Sequence, residues 1–175
     1  MVTYLPLIAC LKDKTKTELC VLDILDDFNK MKASMAKPKA KVKKTPAFFA
    51  LSAKLNTVRG GQIFRFEKVK LNTGGTAIPY NPKTGIFTAT RKGLYYFSAL
   101  ILGYRRNAVH YQLNKNKEVY LLGYSHRGKG ADASTISAIM ELKVGDKVFV
   151  KHRGRSREYF HAHGHSTYAG HFIGD

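Results

Sequence analysis

Two runs of alternating residues carry the side chains best suited to chemistry. Arg153, Arg155 and Arg157 occupy every second position, and His161, His163 and His165 do the same a few residues later. An extended chain sends alternate side chains to one side, so each run predicts a stripe. Guanidinium is a planar fork that bonds two oxygens of a sulfate, phosphate or carboxylate at once. The arginine run therefore predicts anion binding, with a solvated loop as the competing reading. Arg105, Arg106, Lys115, Lys117, Arg127 and Lys129 extend this candidate ligand-binding set into other turn-like segments. Neutral imidazoles are ligands for zinc, copper or nickel. Gly164 interrupts the histidine run, and three histidines on one short strand do not readily enclose an ion. A metal site at His161, His163 and His165 is eased by a position between subunits; the alternative is a solvated or packed set.

The charge balance sets the sign of any partner. Thirty Lys and Arg stand against twelve Asp and Glu, and residues 47–175 hold twenty against seven, a net +13. Such an excess attracts anionic surfaces at long range and also favours solubility. The acids after Pro46 form no Asp-x-Asp cluster, whereas calcium takes several oxygen ligands, so a calcium site would rely on backbone carbonyls. No cofactor is required; zinc or calcium are the candidates. Catalytic motifs are absent: no Gly-x-Ser-x-Gly elbow, no phosphate-binding Gly-rich loop ending in Lys-Ser/Thr, no His-Glu-x-x-His. A nucleic-acid recognition motif is also missing. The reading is non-enzymatic.

The elements that must position these side chains change in character along the chain. Residues 1–35 form an N-terminal extension, helical over 11–35. Val21, Leu25, Phe28 and Met35 space one face, either a short coiled-coil seam or an amphipathic helix lying on its own domain. Residues 36–46 read as an extended basic linker rich in Lys with two prolines. Cys10 and Cys20 lie in the extension, suited to bonds between chains, to a local loop or to free thiols. The opening MVTYLPLIACL is either the remnant of a secretion signal or part of the first helix. No apolar run is long enough to span a membrane.

From Ala47 the period becomes two. Ile136, Ala138, Met140 and Leu142 alternate with polar residues, as do Val109, Tyr111 and Leu113. Turn residues punctuate the chain at 72–75, 80–85, 91–93, 114–117 and 144–146, a pattern of antiparallel strands in a sandwich or barrel. The stretch Leu94 to Leu102 is apolar on both faces. It lies between two layers, or another subunit covers its second face.

The segment FEKVKLNTGGTAIPYNPKTGIFTATRKGLYYFSALI resembles the C1q domain signature, with landmarks at Phe66, Asn72, Tyr80, Phe87, Gly93, Tyr95 and Phe97. The similarity extends over roughly residues 46–175, from PAFFALSAKL to HSTYAGHFIGD. A few extra residues around Thr76-Ala77-Ile78 lengthen one loop, and Ala99 replaces an aromatic. The resemblance implies an all-β, ten-stranded antiparallel jelly roll over 47–175 of the C1q/tumour necrosis factor kind. It also implies a tight homotrimer; Cys10 or Cys20, where bonded between chains, would join such trimers into larger assemblies. Phe66, Phe87 and Phe97 are core markers in it, and no common catalytic site is implied. With no Gly-x-y repeat, the helix and basic linker stand in place of a collagen stalk.

The resulting expectation is a secreted recognition protein that binds anionic glycans or microbial surface components in innate defence, without specific nucleic-acid binding. Two rivals are an extracellular matrix or mineral-associated protein that binds metal or acidic polysaccharide, and a receptor ligand like tumour necrosis factor.

Overall fold

The computed structural model describes residues 25–32, 45–54, 56–75, 77–105, 107–126, 128, 132–161 and 163–175. Residues 25–32 form a helix, α1, with Asp26–Lys30 (2.9 Å) and Asp27–Lys30 (3.8 Å) ion pairs along its surface. Glu/Asp four residues before Lys supports a helix locally by about 0.3–0.5 kcal/mol. The rest of the expected 11–35 helix, linker residues 36–44, and Cys10 and Cys20 lie outside the described residues.

Among the described residues that follow, the chain forms twelve strands: β1 (Ala47–Leu51), β2 (Asn56–Val58), β3 (Lys68–Thr73), β4 (Tyr80–Asn81), β5 (Ile86–Thr88), β6 (Gly93–Leu102), β7 (Val109–Lys115), β8 (Glu118–Ser125), β9 (Ala133–Leu142), β10 (Lys147–His152), β11 (Glu158–Phe160) and β12 (Thr167–Gly174). Ten of them make the jelly-roll sandwich, in two five-stranded sheets ordered β3-β1-β12-β6-β9 and β4-β5-β10-β7-β8. The other two, β2 and β11, pair as a short ribbon. Every pairing is antiparallel, and the first and last strands lie side by side, Phe48 opposite Gly170.

The core between the sheets is aromatic. Phe48 stacks on Tyr80 at 4.5 Å, meets Tyr168 edge-on at 4.8 Å, and packs with Phe87, which meets Phe97 at 5.0 Å. Each such ring removed from water contributes roughly 1.5–3 kcal/mol, and offset or edge contacts add to it. The landmark residues thus have physical roles. Asn72 donates through Nδ2 to the Tyr80 carbonyl (2.8 Å) and accepts the Tyr80 N–H (3.2 Å), closing the lengthened loop. The Tyr80 hydroxyl donates to the Phe66 carbonyl and accepts the Phe66 N–H, both at 3.2 Å. Burial pushes the Tyr80 phenol well up, keeping it a neutral donor and acceptor. Gly93 opens β6 at φ 141°, and a Cβ there would lie 2.4 Å from the Gly174 carbonyl oxygen, so only glycine fits.

The doubly apolar strand is β6. Its Tyr95, Phe97, Ala99 and Ile101 are buried in the core, while Leu94 is exposed and Tyr96, Leu100 and Leu102 are half-buried on the outer face. It lies centrally in its sheet, between β12 and β9, and has a single layer over its inner face, not one on each side. At the other end of the sandwich, β8 and β9 close their respective sheets side by side, joined where the Tyr120 hydroxyl donates to the Ile139 carbonyl (2.9 Å). Val119, Tyr120, Leu122, Tyr124 and Ile139 make this edge apolar and exposed.

Candidate ligand-binding surface

The arginine run does not form the expected stripe. After β10 the chain bends at Arg155 and Ser156 before entering β11, so Arg153, Arg155 and Arg157 do not share one extended face. The cause lies one residue further on. Glu158 is buried, and its carboxylate faces His110 Nδ1 at 2.5 Å and His152 Nε2 at 2.8 Å while accepting the His110 N–H at 2.6 Å. Pulling Glu158 inward folds the preceding residues over. Gly154 permits it: a Cβ there would sit 2.8 Å from Glu158 Oε1 and 2.9 Å from His152 Nε2. His152 is fully buried, and its Nδ1 has no hydrogen-bond partner among the described residues. Facing a carboxylate oxygen, Nε2 carries a proton and donates it to Glu158, so Nδ1 is the unpaired atom.

This polar knot ties the chain after β10 to the turn after β2. Gly61 N–H donates to the His152 carbonyl (3.0 Å), His152 N–H to the Gln62 carbonyl (2.8 Å), and Arg59 N–H to Gln62 Oε1 (2.8 Å). A Cβ on Gly60 would be 2.9 Å from the Gly154 carbonyl, so the two turns touch backbone to backbone. The result is a groove of about 700 Å³ whose lining includes Arg59, Arg65 and Arg157, with Thr57, Gln62 and Glu67 and a floor of Val58, Ile63 and Phe160. Of the expected arginines among the described residues, only Arg157 lines it. Arg59 and Arg65 were not among the sequence candidates, although Arg59 precedes a Gly-Gly turn and Arg65 points outward between buried Phe64 and Phe66.

Lys115 and Lys117 lie at the other end of β10, roughly 17 Å away for six strand residues. Lys115 Nζ donates to the Glu141 carbonyl (2.7 Å) and lies 3.8 Å from Asp146 Oδ2. Asn116, at φ 54°, donates to Asp146 Oδ1 (3.0 Å) and accepts the Lys147 N–H (2.8 Å), locking two hairpin turns together. Lys115 is thus partly committed to structure. Lys117 lines a shallower recess of about 500 Å³ with Lys143, Glu118 and Asp146.

The histidine run is also re-formed. His163 (φ 55°) and Gly164 (φ 87°) are left-handed, which breaks the alternation that would have put three rings on one side. His161 and His165 instead meet edge-on at 5.6 Å, and Tyr104 packs on His161 at 4.9 Å. Arg105 lies over the Tyr104 ring at 5.1 Å. Desolvation, then the neighbouring His165, His163 and Arg105, hold His161 below its ordinary value and favour its neutral form. Among the described residues no group of three His, Cys, Asp or Glu side chains is placed to hold a metal ion. Arg106, Arg127 and Lys129 lie outside the described residues.

The C1q domain family matches residues 47–173. The chain is 31% identical over 113 residues to the heavy metal-binding protein HIP of Mytilus edulis, covering 62% of this chain; it spans about half of that relative's length, 51%. The globular domain of zebrafish complement 1qA is similar in structure, with a TM-score of 0.57 at 22% identity over 73% of this chain and 97% of that one. Eiger, a tumour necrosis factor of S. frugiperda, superposes with a TM-score of 0.60 at 15% identity, covering 75% of this chain and 94% of its own. These two establish the shared jelly roll, and C1q domains are in general ligand-binding modules without catalytic activity. By its sequence from Ala47 to Ile173 and by its two five-stranded sheets, the chain belongs to the C1q domain family.

Proposed function

We propose that this protein is a secreted, non-enzymatic recognition molecule whose trimeric heads bind anionic or carbohydrate-bearing surfaces, such as microbial envelope components. The observation that carries the reading is how the domain uses its few acids. Glu158 is taken by two histidines, Asp146 by Asn116 and Lys115, Asp175 by Arg91, Asp132 by the His126 N–H and Glu67 by the Ala53 N–H. With five of the seven acids after Pro46 so engaged, and Arg91 and Lys115 the Lys and Arg residues ion-paired after Pro46 among the described residues, most of the described basic side chains are left to face a partner. The trimer draws support from the family and from the exposed apolar edge of β8 and β9 with the half-buried outer face of β6. Binding of the protein to lipopolysaccharide, a sulfated glycan and a neutral glycan at low and high salt tests the reading. Binding to the two anionic ligands should weaken as salt rises. Equal, salt-insensitive binding to the neutral glycan overturns it.

A second reading, metal binding in an extracellular matrix, is favoured by the similarity to a relative described as heavy metal-binding and by the meeting of His161 and His165. Two imidazoles leave coordination positions for a further ligand from another subunit or from solvent. Zinc titration of the protein by calorimetry should give a binding event that His161→Ala removes. A zinc isotherm unchanged by His161→Ala rejects this site.

A further inference from the structure

We infer that the groove lined by Arg59, Arg65 and Arg157 is a site for a saccharide segment bearing two or more sulfate or phosphate groups. This rests on the anionic-ligand reading above and narrows it to one place and one ligand class. Three guanidiniums reach the groove from three separate segments: the turn after β2, the stretch before β3 and the bend before β11. Among the described residues, none of the three forms an ion pair with a carboxylate of the chain. Three like charges gathered on one recess repel each other, with the single Glu67 carboxylate in the lining offsetting only part of the excess, and a bound polyanion relieves that repulsion.

The roots of these side chains are held. Hydrogen bonds between the two turns, the β2–β11 ribbon and the buried Glu158 carboxylate set where Arg59 and Arg157 leave the backbone. Binding then orders side chains but not loops, which lowers its entropic cost. The size and chemistry of the recess restrict the occupant. A volume of about 700 Å³ falls in the range of small-molecule sites, about 300–1,000 Å³, and exceeds what a lone oxyanion fills. Thr57 and Gln62 add hydroxyl and amide groups suited to sugar hydroxyls, while on the apolar floor Val58 and Phe160 are buried and Ile63 half-buried, so the floor offers little to a lipid chain. Three forks able to hold two oxygens each match tetrahedral oxyanions spaced along a sugar chain. The Lys115–Lys117 recess lacks arginine, and two carboxylates share its lining.

The test compares a sulfated oligosaccharide, a phosphorylated one of the same length and the uncharged parent by calorimetry on the full chain. Arg59→Gln/Arg157→Gln is set against Lys83→Gln/Lys92→Gln, which removes the same charge from exposed turns elsewhere. Each charged hydrogen bond lost is expected to cost about tenfold in affinity. The groove pair should therefore weaken binding by at least about tenfold, and the lysine pair by less than about threefold, with thermal unfolding unchanged in both. The arm that binds more tightly identifies sulfate or phosphate as the preferred group. Equal losses in the two double variants overturn the groove as the site while leaving general anion recognition intact. Failure of the unaltered protein to bind either charged saccharide overturns both readings.

Discussion

The aromatic core between the sheets and the polar knot beside the arginine groove are both buried, yet they are held by opposite kinds of force. In the core, Phe48, Tyr80, Phe87, Phe97 and Tyr168 contact one another ring to ring, at angles from stacked to edge-on. Area removed from water drives that packing, and its directionality is weak. In the knot, one carboxylate collects an N–H and two imidazoles, and a glycine without a Cβ is needed for them to approach. Desolvating those groups offsets much of what their hydrogen bonds contribute. The core therefore supplies stability, while the knot supplies position, bending the chain so that Arg157 lines the same groove as Arg59.

Three measurements test this division. Phe97→Ala should have the largest effect on stability, about 3–5 kcal/mol by chemical denaturation, because a buried ring leaves a cavity at the centre of β6. Its folded fraction should retain anion binding; loss of both together would show that core and groove are not separable. Glu158→Gln should cost less, about 1–3 kcal/mol, by weakening charge-assisted bonds to His110 and His152. Relative to that cost it should impair binding of a sulfated oligosaccharide more than Phe97→Ala does. A stability loss with unchanged affinity would reduce the knot to a structural feature.

The smallest effect is expected at Asp146, in the hairpin lock at the far end of β10. Its carboxyl is held below the ordinary value by the Asn116 amide and then by the Lys143 N–H. With a lowered native pKa, the unfolded chain takes up the proton first as acid is added. The stabilisation is therefore complete above the ordinary carboxylate range and is lost as pH falls through the native value. Asp146→Asn should lower stability slightly at pH 7, with the difference narrowing in acid; a pH-independent difference would contradict the assignment.

Much of the fold was legible in the sequence because strand periodicity and turn residues are local signals. The alternating Val109, Tyr111 and Leu113 are buried in β7, and each of the five turn segments holds the connection between two successive strands. The site was less legible. Alternation in Arg153–Arg157 and His161–His165 predicted stripes only if the chain stayed extended, and neither stretch does. Arg59 lies nearly a hundred residues from Arg157, and no local pattern links them. The signal that was present, HRGRSRE with its glycine and terminal acid, becomes meaningful once Glu158 is seen turned inward.

By itself, the sequence determined the all-β class, the family, the aromatic landmarks of the core and a net positive domain. The class and the charge follow from residue type and short-range period, and the family and its landmarks from the resemblance of an ordered motif to the C1q signature; all are properties of the chain. Tertiary structure decided which basic residues share a groove, that a left-handed His163 breaks the histidine alternation while the His161 and His165 rings meet, and that the outer face of β6 is left half-exposed. Those outcomes depend on contacts between segments far apart in the chain and on one buried carboxylate, whose partners His110 and His152 are brought together only when β7 and β10 pair.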